Sequence, residues 1–270
     1  VVGIEKEGMD GYGLIPIRYD QLEQVGSEIA KRIRELNVMN ILVNLNKEKI
    51  MAMIRGLHPT TTDLTVDALV EGGIRFVEVT TNTEGAYPLV SRLRKEYGDT
   101  LYVGMGTVLD VSMAKQAIDA GAQFIVSPNL DIEVIEYGIR HQIDVYPGVM
   151  TPTEIVNASK AGAKAVKVFP MGSLGGPSYL KEIRAPLNHI SMIASGSVGI
   201  HNLREIIAAG AFAVGMGGNL VNKQLIDAGD YAAIKKLARE CVEVITNSSY
   251  GRNIQHIPHH ESRDGYIIPD

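Results

Sequence analysis

Tryptophan is absent from the 270 residues, phenylalanine occurs 4 times, and there is 1 cysteine, Cys241. A lone cysteine forms no internal disulfide, so a disulfide-stapled secreted scaffold is excluded and a reducing compartment is expected. Long hydrophobic runs are missing too: none reaches the length of a membrane span. The opening Val1-Val2-Gly3-Ile4-Glu5-Lys6-Glu7 lacks the basic-then-apolar order of a signal peptide, which predicts a cytoplasmic location. Positive charge is not in excess, since 26 basic residues face 31 acidic ones for a net charge of −5. That balance carries no nucleic-acid footprint. What is present is 45% hydrophobic and 21% charged residues, a balance that excludes dominant disorder and allows a sizeable core. The 28 glycines point to tight strand-to-helix turns.

Leu22, Val25, Ile29, Ile33 and Leu36 recur at helical spacing, which predicts a helix over 20–37 behind an irregular arm over 1–19. From about residue 48 a short apolar run followed by a helical segment recurs 8 times. The runs are Ile50–Ile54, Phe76–Val79, Leu101–Val103, Phe124–Val126, Asp144–Tyr146, Ala165–Phe169, Ser191–Ala194 and Ala213–Gly215. Helices are expected to begin near Thr62, Glu84, Val111, Asp131, Pro152, Pro177, Asn202 and Asp227. Glu71-Gly72-Gly73, Ala120-Gly121-Ala122, Ala161-Gly162-Ala163 and Ala209-Gly210-Ala211 each place glycine where a helix ends in the left-handed conformation. Apolar strands interleaved with helices predict a parallel sheet covered on its outer face. Eight such units over roughly 200 residues fit a (β/α)8 TIM barrel. The rival, an open doubly wound sheet, lacks its acidic residue about 20 positions after a glycine-rich first turn. The expected organisation is an N-terminal arm and helix (1–47), a single barrel domain (48–245) and an irregular tail (246–270). His256, His259 and His260 in the tail are read as solvated rather than as metal ligands.

In a barrel of this kind, chemistry sits at the C-terminal ends of the strands. Glu78 and Lys167 stand out because each lies inside an apolar run. Strand alternation puts Phe76, Glu78 and Thr80 on one face, and Ala165, Lys167 and Phe169 on another. Both strands are even-numbered, and interior layers draw on alternate strands, so both side chains can share one layer. Burial disfavours the charged form of an amine, and a neutral amine can add to a carbonyl to form a Schiff base. A carboxylate beside it can move protons. A buried ion pair that only braces the barrel fits the positions equally well. The glycine-rich seventh and eighth strand ends, Ser195-Gly196-Ser197 and Gly215-Met216-Gly217-Gly218-Asn219, suit either an anion cradled by backbone N–H groups or tight turns.

These residues resemble the class I aldolases acting on 2-keto-3-deoxy-6-phosphogluconate and 4-hydroxy-2-oxoglutarate, from about Ile50 to about Val221. The motifs are Gly72-Gly73 before Val77-Glu78-Val79-Thr80, Gly104-x-Gly106-Thr107-Val108, Ser127-Pro128, Pro147-Gly148 before Thr151-Pro152-Thr153-Glu154, and Lys167-x-Phe169-Pro170. The resemblance implies that Lys167 forms the Schiff base and Glu78 shuttles protons. It implies that Thr107 helps hold the pyruvyl carboxylate, that Pro128 and Phe169 wall the pocket, and that Gly196, Ser197, Gly217, Gly218 and Asn219 meet the far end of the substrate. Phosphogluconate aldolases carry an arginine four residues after the glutamate, where this chain has Asn82. Relatives acting on phosphogalactonate are similar to this chain there, with an arginine at the end of strand 1 that Arg55 matches. An arginine fork holds a carboxylate through two parallel hydrogen bonds, so Arg55 is expected in that role.

The resemblance implies a lyase that cleaves a 2-keto-3-deoxy sugar acid, 6-phosphorylated as in the phosphogluconate or phosphogalactonate type, to pyruvate and glyceraldehyde 3-phosphate, without metal or organic cofactor and as a homotrimer. Ser197 stands where the family has a glycine, and this leaves an unphosphorylated keto acid such as 4-hydroxy-2-oxoglutarate as an alternative substrate. A sugar-phosphate epimerase would leave Lys167 without a role. A non-catalytic barrel would have no reason to keep a costly lysine inside.

Overall fold

The computed structural model describes Gly26 and residues 41–249. The predicted arm over 1–19, the rest of the predicted helix over 20–37, and the tail carrying His256, His259 and His260 lie outside the described residues. Residues 41–48 form a helix, α1. Strands and helices then alternate as β1 (Ile50–Ile54), α2 (Pro59–Glu71), β2 (Phe76–Thr80), α3 (Ala86–Tyr97), β3 (Tyr102–Gly106), α4 (Val111–Asp119), β4 (Phe124–Val126) and α5 (Ile132–Arg140). They continue with β5 (Asp144–Tyr146), β6 (Gly148–Val149), α6 (Pro152–Lys160), β7 (Ala165–Val168), α7 (Gly176–Arg184), β8 (Ser191–Ser195), α8 (Ile200–Ala208), β9 (Ala213–Met216), α9 (Lys223–Asp227) and α10 (Tyr231–Ser249).

The sheet runs β5-β4-β3-β2-β1-β9-β8-β7-β6. Its two ends, β5 and β6, are neighbours in the chain, parted by Pro147 alone. Proline has no N–H for a ladder, but its carbonyl accepts the Lys167 N–H at 2.8 Å, and Val149 O accepts the Phe169 N–H at 3.1 Å. The fifth barrel strand therefore pairs in parallel with β4 before the proline and with β7 after it. The sheet closes into a (β/α)8 barrel; it is not the open sheet.

Local chemistry sets the helix ends. Asp110 accepts the Met113 N–H at 2.7 Å at the start of α4, and Thr151 with Glu154 makes a reciprocal capping box at α6. Such caps satisfy amides that the helix itself leaves unpaired. At the C-termini the glycine signature acts as expected. Gly73, Gly121, Gly162 and Gly210 all have φ between +88° and +100°. The residue after each donates back to the carbonyl five positions earlier, as in Ile74 N to Leu69 O at 3.0 Å. The helix expected near Asp227 is two helices instead. Gly229 (φ +70°) interrupts the helix, and Asp230 caps the second helix by accepting the Ala233 N–H at 3.0 Å.

Side chains alternate along each strand. Ile50, Ala52 and Ile54 of β1 pack outward with Val77, Val79, Val103, Met105, Val166 and Val168 against the helices. Met51, Phe76, Phe124, Tyr146, Ala165, Ile193 and Ala213 fill the inside, joined by Ile41 and Leu45 of α1. These residues lie near the strand starts, so α1 plugs the N-terminal mouth of the barrel.

Candidate functional site

One layer above that plug the interior changes character. Glu78, two residues beyond Phe76, and Lys167, two beyond Ala165, point inward. Lys167 Nζ lies 3.7 Å from Glu78 Oε1, with side-chain exposures of 5% and 1%. Glu78 Oε1 accepts no hydrogen bond among the described residues. The separation is attractive but too long for a hydrogen bond. A carboxylate kept dry with an oxygen unsatisfied is costly, and a bracing ion pair would close the gap.

Backbone without side chains makes the space. A Cβ on Gly106 would lie 1.9 Å from Glu78 Oε1, so Glu78 keeps its position only because β3 ends in glycine. Gly148 is paired in register with Lys167, and a Cβ there would lie 2.2 Å from the Pro128 carbonyl. Pro128 thus packs against the strand beside the lysine. Phe169 lies over the amine, its ring centroid 5.3 Å from Lys167 Nζ.

Phe169 also borders an open cleft of about 320 Å³ at the C-terminal mouth. Arg55, Gly196, Ser197, Gly217, Gly218 and Asn219 line it with Met53 and Ser195. Every residue expected at the far end of the substrate is therefore in one place. Arg55 is exposed and rests its guanidinium on Met53 Sδ at 3.2 Å, leaving the rest of its fork for an anion. Asn219 is drawn toward the loop after β8 by its bond to Val198 O at 3.1 Å. Ser197 takes φ +58°, a conformation that favours glycine.

Thr107 follows β3 on the other side of Glu78, outside the cleft lining. It is half-buried and has φ +59°. The Gly-Thr-Val motif marks Thr107 but carries no sign of its positive φ or of its neighbours. The turn after Glu78 supplies those. Thr81 Oγ1 donates to Thr107 O at 2.8 Å. Thr83 Oγ1 accepts the Gly56 N–H at 3.1 Å, and Thr80 Oγ1 donates to Ile54 O at 3.2 Å. The sequence places Ser195 in the glycine-rich turn but assigns its side chain no role. Its Oγ is buried without a partner among the described residues, and its inward parity with Ile193 was the available signal.

A closed β/α barrel with an amine and a carboxylate under a glycine-rich mouth has the layout of a barrel enzyme. The family model for KDPG and KHG aldolase matches residues 29–237. A 2-dehydro-3-deoxy-phosphogluconate aldolase of Treponema pallidum is 35% identical over 66% of this chain and 84% of its own length. A 2-dehydro-3-deoxy-6-phosphogalactonate aldolase of Escherichia coli is 34% identical over 73% of this chain and 98% of its own. The solved structure of a KDPG aldolase from Legionella pneumophila, with pyruvate captured as a covalent carbinolamine intermediate, superposes with a TM-score of 0.67 at 25% identity, over 71% of this chain and 93% of that one. The chain belongs to the KDPG and KHG aldolase family, and it is a lyase of the aldehyde-lyase class.

Proposed function

We propose that the protein is a class I aldolase that cleaves a 6-phosphorylated 2-keto-3-deoxy sugar acid to pyruvate and glyceraldehyde 3-phosphate. The observation that carries this reading is the dry Lys167–Glu78 couple, 3.7 Å apart with Glu78 Oε1 unsatisfied. Lys167 Nζ adds to the C2 carbonyl and water leaves, giving a protonated imine. Glu78 takes the C4 hydroxyl proton as the C3–C4 bond breaks, and that bond's electron pair flows into the imine to leave an enamine. The aldehyde departs, a proton returns to C3, and hydrolysis frees pyruvate and the amine. The imine serves as the electron sink. In this reading Thr107 and Arg55 hold the carboxylate, Pro128 and Phe169 wall the pyruvyl half, and Gly196, Ser197, Gly217, Gly218 and Asn219 receive the phosphate.

Borohydride reduction in the presence of pyruvate, followed by peptide mass mapping, tests the reading. A single adduct on Lys167, lost in a folded Lys167→Ala variant along with turnover, is the expected result. No adduct on the folded wild-type protein overturns it. Ser197, a cleft-lining residue where a glycine would let a phosphate approach backbone, favours the second substrate reading, an unphosphorylated keto acid. Comparison of kcat/KM for the two substrate types separates them.

Leu109 and Met150, on strand-to-helix connections, and Ile132, the first residue of α5, are exposed at 44–45% and support burial in a homotrimer. No helix among the described residues is long and apolar enough to cross a membrane. Cys241 is buried, which pushes its thiol up to about 11. A thiol kept inert in this way suits the cytoplasm.

A further inference from the structure

Thr107 is a β-branched residue at φ +59°. That region is a genuine outlier for such a side chain, and strain of this kind persists only where the surroundings over-determine it. The surroundings here are two hydrogen bonds from one residue. Thr81 Oγ1 donates to Thr107 O at 2.8 Å, and the Thr81 N–H donates to Gly106 O at 2.9 Å. The two carbonyls flanking the strained residue are therefore both held by Thr81. On the far side the next amide, Val108 N–H, donates to Val126 O at 3.3 Å. The peptide on each side of Thr107 is pinned by these bonds.

Thr81 itself is half-buried and stands three residues after Glu78. It lies outside the Lys167–Glu78 couple and does not line the cleft. Its position at the end of β2 means that one short segment carries Glu78 and also sets the conformation of Thr107 on the neighbouring strand. We propose that Thr81 is a positioning residue. Its hydroxyl holds Thr107 in the left-handed conformation that presents the Thr107 side chain and amide to the carboxylate of the keto acid. This inference rests on the aldolase reading and adds to it a residue that acts through another.

A hydroxyl that merely supports the fold predicts a lower melting temperature and a proportionate loss of active protein. A positioning hydroxyl predicts a change in affinity for the pyruvyl carboxylate. The experiment compares wild type with Thr81→Val, which keeps the shape and removes the donor, and Thr81→Ser, which keeps the donor. The readouts are the pyruvate concentration giving half-maximal borohydride-trapped adduct, KM and kcat in the cleavage direction, and melting temperature. Thr81→Val is expected to raise the half-maximal pyruvate concentration and KM about tenfold, the scale of one positioning hydrogen bond. Its kcat should fall by a much smaller factor, and Thr81→Ser should restore both constants. Thr81→Ala serves the same comparison if the valine variant does not fold. Unchanged pyruvate dependence in folded variants, a loss that serine does not rescue, or a fall in kcat alone that tracks melting temperature overturns the proposal. Absence of a wild-type adduct on Lys167 overturns the aldolase reading and this inference with it. A normal wild-type adduct with unaffected variants overturns only the role of Thr81.

Discussion

Phe76 and Glu78 sit two residues apart on the inner face of β2, and Ala165 and Lys167 do the same on β7, yet each pair spans two unlike regions. The lower region is packed tight. Phe76 stacks on Tyr102 with ring centroids 4.5 Å apart, and Phe124 lies 5.9 Å from Phe76 and 5.8 Å from Tyr146. Leu45, fully buried, closes it from beneath. The carboxylate in that region, Asp144, turns to Lys164 at 3.0 Å, although burial still holds its pKa above the usual carboxylate range. The upper region keeps charged groups and an open mouth. Glycine has opposite uses in the two. Gly104 gives up its Cβ so that the Phe124 ring can fill the space, 2.2 Å from where the Cβ would be. Gly106 gives up its Cβ so that Glu78 can keep room. The barrel foot stabilises by burial, which frees the layer above it from having to pack well.

Three substitutions would break or sharpen that contrast. Glu78→Gln keeps the shape of the upper region and removes its base. It should lower kcat by ~10²–10⁴-fold while pyruvate still becomes trapped on Lys167, a pairing that single-turnover assays and borohydride labelling read separately. Gly106→Ala makes the upper region resemble the lower one, because a methyl group 1.9 Å from Glu78 Oε1 must push the carboxylate aside. A displacement of that order should reduce kcat by about 10²-fold and lower the melting temperature. Full activity in this variant would show that Glu78 need not stand where it does. Leu45→Ala opens a void under the foot. Denaturant unfolding should report a loss of about 2–5 kcal/mol, with kcat unchanged below the transition. A matching loss of kcat would mean that the two regions are not independent.

The barrel and the meeting of Glu78 with Lys167 could be read in the sequence because both follow from periodicity. Eight apolar runs with glycine-capped helices specify the architecture, and strand parity points two odd charges inward. What escaped depends on three-dimensional contact. Nothing in Ile41 and Leu45 distinguishes a plug from another surface helix, since their burial is decided by strands they do not adjoin in sequence. The split at Gly229 was hidden because the apolar pattern resumes after it. Thr81 reads as a turn residue until β3 comes beside it. Thr107 carries no sign of its positive φ, which its neighbours impose against its own preference. The side chains that do the proposed chemistry were visible, whereas the groups that hold them were not.

The break at Pro147 has a consequence for assembly of the molecule. The backbone amide that ties β7 to the Pro147 carbonyl is that of Lys167 itself. The seam beside Pro147 is therefore held by the residue whose amine lies in the middle of the ring. Without this pairing β7 would present a free edge, and Lys167 stands on that edge. The closed ring and the site therefore share a residue, and a change that loosens this seam would disturb the strand that carries the amine.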